Sequence, residues 1–268
     1  MSAATAPPAT LDVSGTTPTS FLTLVKVELR KSYDTRAGFW LIASVGALVL
    51  LALGLVTIIS VVQTEPVKYG DFVAFASYAS GVLLPILGIM LVTSEWSQRT
   101  GMVSFALEPR RMLVILAKLV VGILLTLLTL AFSLVVGVVC TAICELANPD
   151  ITTWELGMDV LAGYTVTQVL AMTGGFALAT LLLNTPASIV LFFVYKYVLP
   201  GLFELADALI GWFGDVRVWL DFQTAQGDIY EWNLSGAEEW GHLLVSGFVW
   251  LALPIGIGLW RILRAEVK

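Results

Sequence analysis

The 268-residue chain is 58% apolar and only 13% charged, and its mean hydropathy is +0.89. A soluble domain is about half apolar and about a quarter charged, so this composition excludes an ordinary soluble protein and indicates a membrane protein. The net charge of −6 arises from two signs that are segregated along the chain.

Residues 1–19 are rich in Ala, Pro, Thr and Ser and lack an apolar stretch, so we expect a disordered tail and not a cleaved signal. Residues 20–36 follow with apolar side chains at helical spacing. The polar faces of that segment carry Lys26, Glu28, Arg30 and Lys31, and Ser20 is placed to cap its start. This pattern predicts an amphipathic helix at the membrane interface, either as a plain anchor or as an element that also contacts a partner.

Six apolar runs are long enough to cross a bilayer, which takes about 20 residues. They are Phe39–Val62, Phe72–Thr93, Leu119–Ile143, Val160–Leu183, Ser188–Trp212 and Leu243–Leu263. The sequence therefore predicts an all-α membrane protein in which residues 20–268 form one six-span domain. Three longer connections separate the spans, at 94–118, 144–159 and 213–242, and we expect the last one to lie on the outer surface.

Basic residues set the orientation, because loops rich in Lys and Arg stay in the cytoplasm. With the N-terminus inside, eleven of the fourteen Lys and Arg residues lie in cytoplasmic segments. Only Lys68 and Arg217 lie outside, Lys196 lies within a span, and the acidic residues fill the outer loops. An even number of spans returns the C-terminus to the cytoplasm as well.

The connection 94–118 combines charge with large apolar side chains. Its polar start holds Glu95, Trp96, Gln98, Arg99 and Thr100, Phe105 follows, and Pro109 ends the apolar run. A merely solvated loop has little use for Trp96 and Phe105, so we predict a short helix that presents Glu95 and Arg99 to a cytoplasmic protein. For Arg110, Arg111 and Lys118 we favour a simpler role, in which they fix topology and touch lipid phosphates.

Lys196 is a charge near the middle of the fifth run, where insertion costs about 2.5–3.5 kcal/mol. Tyr195 and Tyr197 flank it. One interpretation is a polar point on a transport path that meets an anionic group. The other is a long side chain that snorkels to the interface or pairs inside the bundle. Glu204 and Asp207 lie one turn apart, either exposed at the interface or in a dip back into the membrane.

A metal site is not expected, because His242 is the only histidine. Cys140 and Cys144 lie one turn apart on a predicted helix, which is a poor geometry for a disulfide. We interpret both cysteines as apolar packing residues.

The order of several short motifs resembles ABC-2 type transporter permeases of bacteria. The motifs are Val27-Glu28-Leu29-Arg30-Lys31 with Asp34-Thr35-Arg36, Ser94-Glu95-Trp96-Ser97-Gln98-Arg99-Thr100, Pro109-Arg110-Arg111 with Ala117-Lys118, and Gly258-Leu259-Trp260-Arg261. The resemblance covers the chain after residue 20. It implies a type V ABC exporter-like fold, in which residues 20–36 form an elbow helix and the loop after the second span is a coupling helix. By position, Glu95 is the acidic residue of that coupling helix and Arg99 the basic residue after it.

The resemblance also implies partners. The chain has no G-x-x-x-x-G-K-[ST] phosphate loop, so ATP and Mg would be bound by a separate subunit and no residue here would be catalytic. The expected complex holds two cytoplasmic ABC ATPase subunits and a second permease subunit, alike or different, in the plasma membrane among its lipids. No nucleic-acid partner is expected.

The expected function is export of a peptide, drug or lipid-like compound. One alternative is a non-transporting membrane sensor or immunity partner that sequesters a toxic peptide. A transporter driven by an ion gradient ranks last, because such proteins carry ionisable residues near mid-membrane in several spans. Only Lys196 meets that description.

Overall fold

The computed structural model describes residues 19–97, 108–230 and 236–264. In chain order its helices are α1 (Phe21–Asp34), α2 (Arg36–Gln63), α3 (Tyr69–Ser97), α4 (Arg111–Ala147), α5 (Met158–Leu182), α6 (Thr185–Phe193), α7 (Leu199–Leu209), α8 (Phe213–Leu220), α9 (Phe222–Ala225), α10 (Gly227–Tyr230), α11 (Ala237–Gly247) and α12 (Leu253–Arg264). Within the described ranges six helical stretches are long and apolar enough to cross a membrane: α2, α3, α4, α5, α6 with α7 (the fifth span), and α11 with α12 (the sixth span). The prediction of a six-span, all-α membrane protein is confirmed.

Two capping residues define where α1 and α2 begin. Ser20 caps α1 as predicted, since its hydroxyl accepts a hydrogen bond from the Thr23 N–H at 3.2 Å. Thr35 leaves helical geometry, and its hydroxyl caps α2 by accepting from the Gly38 N–H at 3.2 Å. The N-terminal helix therefore ends at Asp34, two residues before the predicted boundary.

The connection after the second span is shorter than predicted, because α3 continues to Ser97 and α4 begins at Arg111. Glu95 lies in the last turn of α3 and not in a separate short helix. The 37 residues of α4 extend about 55 Å at 1.5 Å per residue, against roughly 30 Å for the hydrocarbon core. The predicted third span is thus the middle of a helix that projects beyond it.

The most buried of the six spans is α3, and α5 follows it. Gly175 of α5 allows these two helices to approach closely, since a Cβ at this position would lie 2.2 Å from the carbonyl oxygen of Pro85 in α3. The pair forms the centre of the bundle, and the other spans pack around it.

The fifth and sixth spans each contain a five-residue π-helical turn, at Val194–Val198 and Phe248–Ala252. Each turn precedes a proline: Pro200 lies four residues after Lys196, and Pro254 four after Trp250. Proline has no N–H and its ring clashes with the carbonyl four residues back. The wider turn accommodates that ring, and such turns occur frequently at functional sites.

The connections after the first and third spans meet at the end of the bundle opposite α1. Val67–Lys68 (β1) pairs in parallel with Thr152–Thr153 (β2). Lys68 and Glu155 add an exposed ion pair of 2.9 Å. Both connections therefore lie on one face, as the alternating topology requires.

Only part of the segment between the fifth and sixth spans lies at the surface as predicted: α8 has no buried residue, whereas residues 221–229 fold inwards. Phe222 and Ile229 are each only 2% exposed, and Phe222 belongs to the same apolar core as Tyr195. The Trp250 indole N–H donates to the Leu220 carbonyl oxygen at 2.8 Å. This segment folds back into the bundle because apolar side chains on α9 and α10 need to be buried.

Arg217 of α8 holds the start of this segment against the fifth span. Its guanidinium lies 3.3 Å from both Glu204 and Asp207 and 3.8 Å from Asp221. Glu204 and Asp207 therefore pair with Arg217, while their side chains stay 68% and 40% exposed, which agrees with the exposed alternative.

Candidate functional site

A cavity of about 470 Å³ lies between α3, α5, the fifth span and the α9–α10 segment. Polar residues from all four walls line it: Ser77, Gln168, Lys196, Gln223 and Gln226. Lys196 is eleven residues from the start of α6 and thirteen from the end of α7, so it lies about 16 Å along the span. The cavity is therefore near the middle of the membrane-spanning region.

The Lys196 ammonium points into the bundle and does not snorkel towards either end of its span. Its Nζ donates to the Gly81 carbonyl oxygen at 2.8 Å and lies 5.7 Å from the ring centre of Tyr197, within the usual range of a cation–π contact. In the part of the chain that the structure describes, no carboxylate lies within ion-pair distance of it. A transport role for Lys196 stays a prediction.

Pro85 explains why the Gly81 carbonyl is available. In a regular helix that oxygen would accept from the N–H four residues later, but this residue is Pro85, which has none. A neighbouring helix must then supply the donor, and Lys196 does so. The pair Gly81 and Pro85 is thus the local reason that an ammonium is held at this depth.

Gln168 of α5 forms the wall next to Lys196. Its Nε2 donates to the carbonyl and to the hydroxyl of Ser77, at 2.9 and 2.8 Å. A carbonyl oxygen only accepts, so the amide nitrogen must face Ser77 and Oε1 must point away. That buried Oε1 has no hydrogen-bond partner among the described residues. An open acceptor and a cation without a counter-ion therefore lie side by side around Gly81.

Tyr195 turns away from Lys196, towards the sixth span. It is 5% exposed, and its ring centre lies 4.4 Å from that of Trp250. The two π-helical turns meet at this contact. Of the two predicted path residues, Lys196 reaches α3 while Tyr195 joins the fifth and sixth spans.

A second group of charges lies at the α1 end of the bundle, and we call Glu28, Lys31, Glu95 and Lys118 the charge cluster. Lys118 lies 2.6 Å from Glu28 and 3.2 Å from Glu95. Lys31 lies 2.7 Å from Glu28 and 2.8 Å from Glu95. Two cations and two anions thus balance one another and tie α1 to the ends of α3 and α4.

Most side chains of the charge cluster are buried, which strengthens the attraction between opposite charges. The side chains of Lys118, Glu28 and Glu95 are at most 9% exposed, and only Lys31 reaches solvent. Burial disfavours the charged form of Lys31, but its bonds to Glu28 and Glu95 outweigh this and raise its pKa. Removing one partner would leave a buried charge uncompensated. An adjoining cavity of about 560 Å³ has mainly apolar walls from α1, α2, α3 and α4.

The remaining predicted contact residues are scattered. Lys26 is exposed, and Arg30 pairs with Asp34 at 2.8 Å on the surface of α1. Trp96 packs against the apolar core. Four further residues of the predicted coupling loop lie outside the described ranges: Gln98, Arg99, Thr100 and Phe105.

Three basic residues for which a topological role is favoured also have contacts within the protein. Lys118 lies in the charge cluster. Arg110 donates to Glu108 at 2.7 Å and to the Thr19 carbonyl at 2.7 Å, and this pairing lowers the pKa of Glu108 to about 2. Arg111 donates to the Ile262 carbonyl at 2.8 Å, which joins the start of α4 to the end of α12. All three side chains bind protein groups.

Sequence reasoning missed Lys118 and Gln168, although each had a signal. Lys118 shares a helix face with the buried Val114, Val121 and Leu125, a spacing that predicts a buried position. Gln168 is the only amide side chain in α5 and lies one turn from the buried Tyr164. Polar residues in a span are rare and usually face protein.

Comparisons with known proteins add no assignment: no protein-family model matches the chain, and no curated protein matches it significantly.

Proposed function

We propose that this chain is the membrane-spanning permease subunit of an ATP-driven ABC transporter that exports an amphipathic compound, with ATP hydrolysed by separate cytoplasmic subunits. The order of the ABC-2-like motifs and the six spans support this proposal. The proposed complex holds two ATPase subunits and a second permease subunit in the plasma membrane. Both termini lie in the cytoplasm, on the evidence of the basic residues at the α1 end.

The observation that carries the proposal is the charge cluster. It joins α1, the end of α3 and the start of α4, directly beside the connection on which an ATPase subunit would act. A partner that moves this connection therefore moves α1, α3 and α4 together. Because the Glu95 carboxylate is engaged inside the chain, we assign Glu95 a positioning role, and direct partner contact falls to the residues after Ser97.

One continuous helix, α3, connects the cluster with the mid-span cavity. Gly81 precedes Glu95 by fourteen residues in the same helix, α3, which is about 21 Å. A displacement at Glu95 reaches the carbonyl that holds Lys196. Rigid-body movement of packed helices is a common way to switch a cavity between two faces.

The test is affinity purification of the tagged chain from the membranes of cells that produce it naturally. The proposal expects an ABC ATPase to copurify in equal amount, with ATP hydrolysis in the eluate. Truncation of 98–107 to a short Gly-Ser linker should abolish copurification while the chain remains in the membrane. Recovery of the chain without any ATPase under mild detergent conditions contradicts the proposal and favours a sensor or immunity role.

A further inference from the structure

The mid-span cavity has a chemical character that the proposed transport activity does not by itself specify. One wall presents an ammonium, Lys196, whose hydrogen-bond acceptor is a neutral carbonyl. The next wall is formed by Gln168, a neutral amide. A buried ammonium is stabilised far more by an anion than by a carbonyl dipole. Among the described residues, no negative charge therefore balances the positive charge of Lys196.

The lining and the opening of the cavity indicate what kind of molecule could carry the anionic group. Apolar and aromatic side chains, including Leu170, Ala171 and Phe192, form much of its lining. Tyr78 of α3 and Tyr197 of the fifth span flank its mouth and are 70% and 54% exposed. An opening between two spans at this depth faces the bilayer or a neighbouring subunit, which admits a molecule with an apolar body.

The opposite side of the cavity is closed by the folded-back segment. Gln223, Gln226 and Gly227 line it there, and Phe222 beside them is almost fully buried. Two amide side chains thus lie above the ammonium, where they can bond further oxygens of an anionic group.

We propose that this cavity binds an amphiphile through one anionic group, a carboxylate or a phosphate, with Lys196 as counter-ion. A cationic amphiphile is rejected, because the Lys196 ammonium would repel it without a screening anion. The identification of this ligand as cargo rests on the permease proposed above, whereas its binding does not.

Photolabelling of the full-length chain, alone in phosphatidylcholine nanodiscs, tests the binding. The probe is dodecanoate with a diazirine on its chain, and labelled peptides are identified by mass spectrometry. Labels are expected within α3, α5, the fifth span and the α9–α10 segment. Excess dodecanoate or dodecyl phosphate should displace the probe, and dodecanol or dodecyltrimethylammonium should not.

Lys196→Met should lower labelling at these sites by about tenfold or more, the usual effect of losing a charge-assisted hydrogen bond. Lys196→Arg should retain labelling, and Lys26→Met, on the exposed face of α1, is the matched control. Equal labelling of Lys196→Met and wild type, or equal displacement by dodecanol, overturns the proposal.

A second pair of discs distinguishes the sources of the anion. If added phosphatidylglycerol displaces the probe, the site takes a lipid headgroup; if it does not, the site takes a free amphiphile. Both results support an anion site. Because neither ATP nor an ATPase is present, failure of the binding is distinguishable from failure of the permease proposal.

Discussion

Two lysines that point into the bundle have opposite surroundings. Lys118 is enclosed by two carboxylates at 2.6 and 3.2 Å, so its charge is matched and serves to join helices. Lys196 contacts a carbonyl oxygen and has no carboxylate beside it in the described part of the chain. A matched buried charge joins helices, whereas the unmatched charge near mid-membrane is the basis of the binding site proposed above.

Lys118→Met should destabilise the protein strongly, because it leaves Glu28 and Glu95 to share Lys31 alone. Removing one partner of a buried pair costs about 3–5 kcal/mol. Lys68→Met is the matched control: its ion pair with Glu155 is exposed at both side chains, and such pairs contribute about 0–1 kcal/mol. Thermal unfolding of both variants in the same detergent measures the difference.

The double variant Lys118→Met with Glu28→Gln checks that the loss arises from charge imbalance and not from lost packing. It leaves Lys31 with Glu95, a neutral pair, so part of the lost stability should return, as expected for coupled residues. If the double variant loses the sum of the two single losses, the four residues do not act as one cluster.

At the scale of the helices, glycine positions decide how closely α3 and α5 can pack. Gly175→Ala places a methyl group 2.2 Å from the Pro85 carbonyl oxygen, which the rigid backbone of α3 cannot avoid without separating the two helices. We expect a large fall in the yield of folded protein. Gly54→Ala in α2 is the control, since its Cβ meets nothing within 4 Å. Size-exclusion profiles after extraction compare them, and equal profiles would contradict the close packing.

The spans were predictable because each is a long apolar run, and Ser20 was recognisable as a helix cap from its place before Phe21. The meeting of three helices at Lys31, Glu95 and Lys118 was not predictable, because such pairing depends on tertiary packing between distant residues. The inward fold of residues 221–229 was missed, since the four-residue helices there are too short to give a periodic pattern. The position of Pro85, by contrast, predicts that the Gly81 carbonyl lacks its helical donor.

At the scale of the whole molecule, the charge asymmetry predicts which face is cytoplasmic. Impermeant thiol reagents added to intact cells should label Asp150→Cys and Asp215→Cys, both exposed positions, in a background where the buried Cys140 and Cys144 are alanine. Gly101→Cys should react only after the membrane is opened, because the basic connection is placed inside. Labelling of Gly101→Cys in intact cells would reverse the topology and remove the ATPase-facing role of the charge cluster.

ATP-driven switching of the mid-span cavity is tested most directly by the rate at which one introduced thiol reacts. Gln226, half-buried on the cavity wall of the folded-back segment, is replaced by cysteine in the cysteine-free background and studied in the copurified complex within nanodiscs. The thiol should react several-fold faster with ATP than with ADP, because closure of the ATPase subunits moves α3 and opens the cavity outwards. Asp150→Cys, outside the cavity, should react at the same rate with either nucleotide. Equal rates for Gln226→Cys with ATP and with ADP would contradict ATP-driven switching of this cavity.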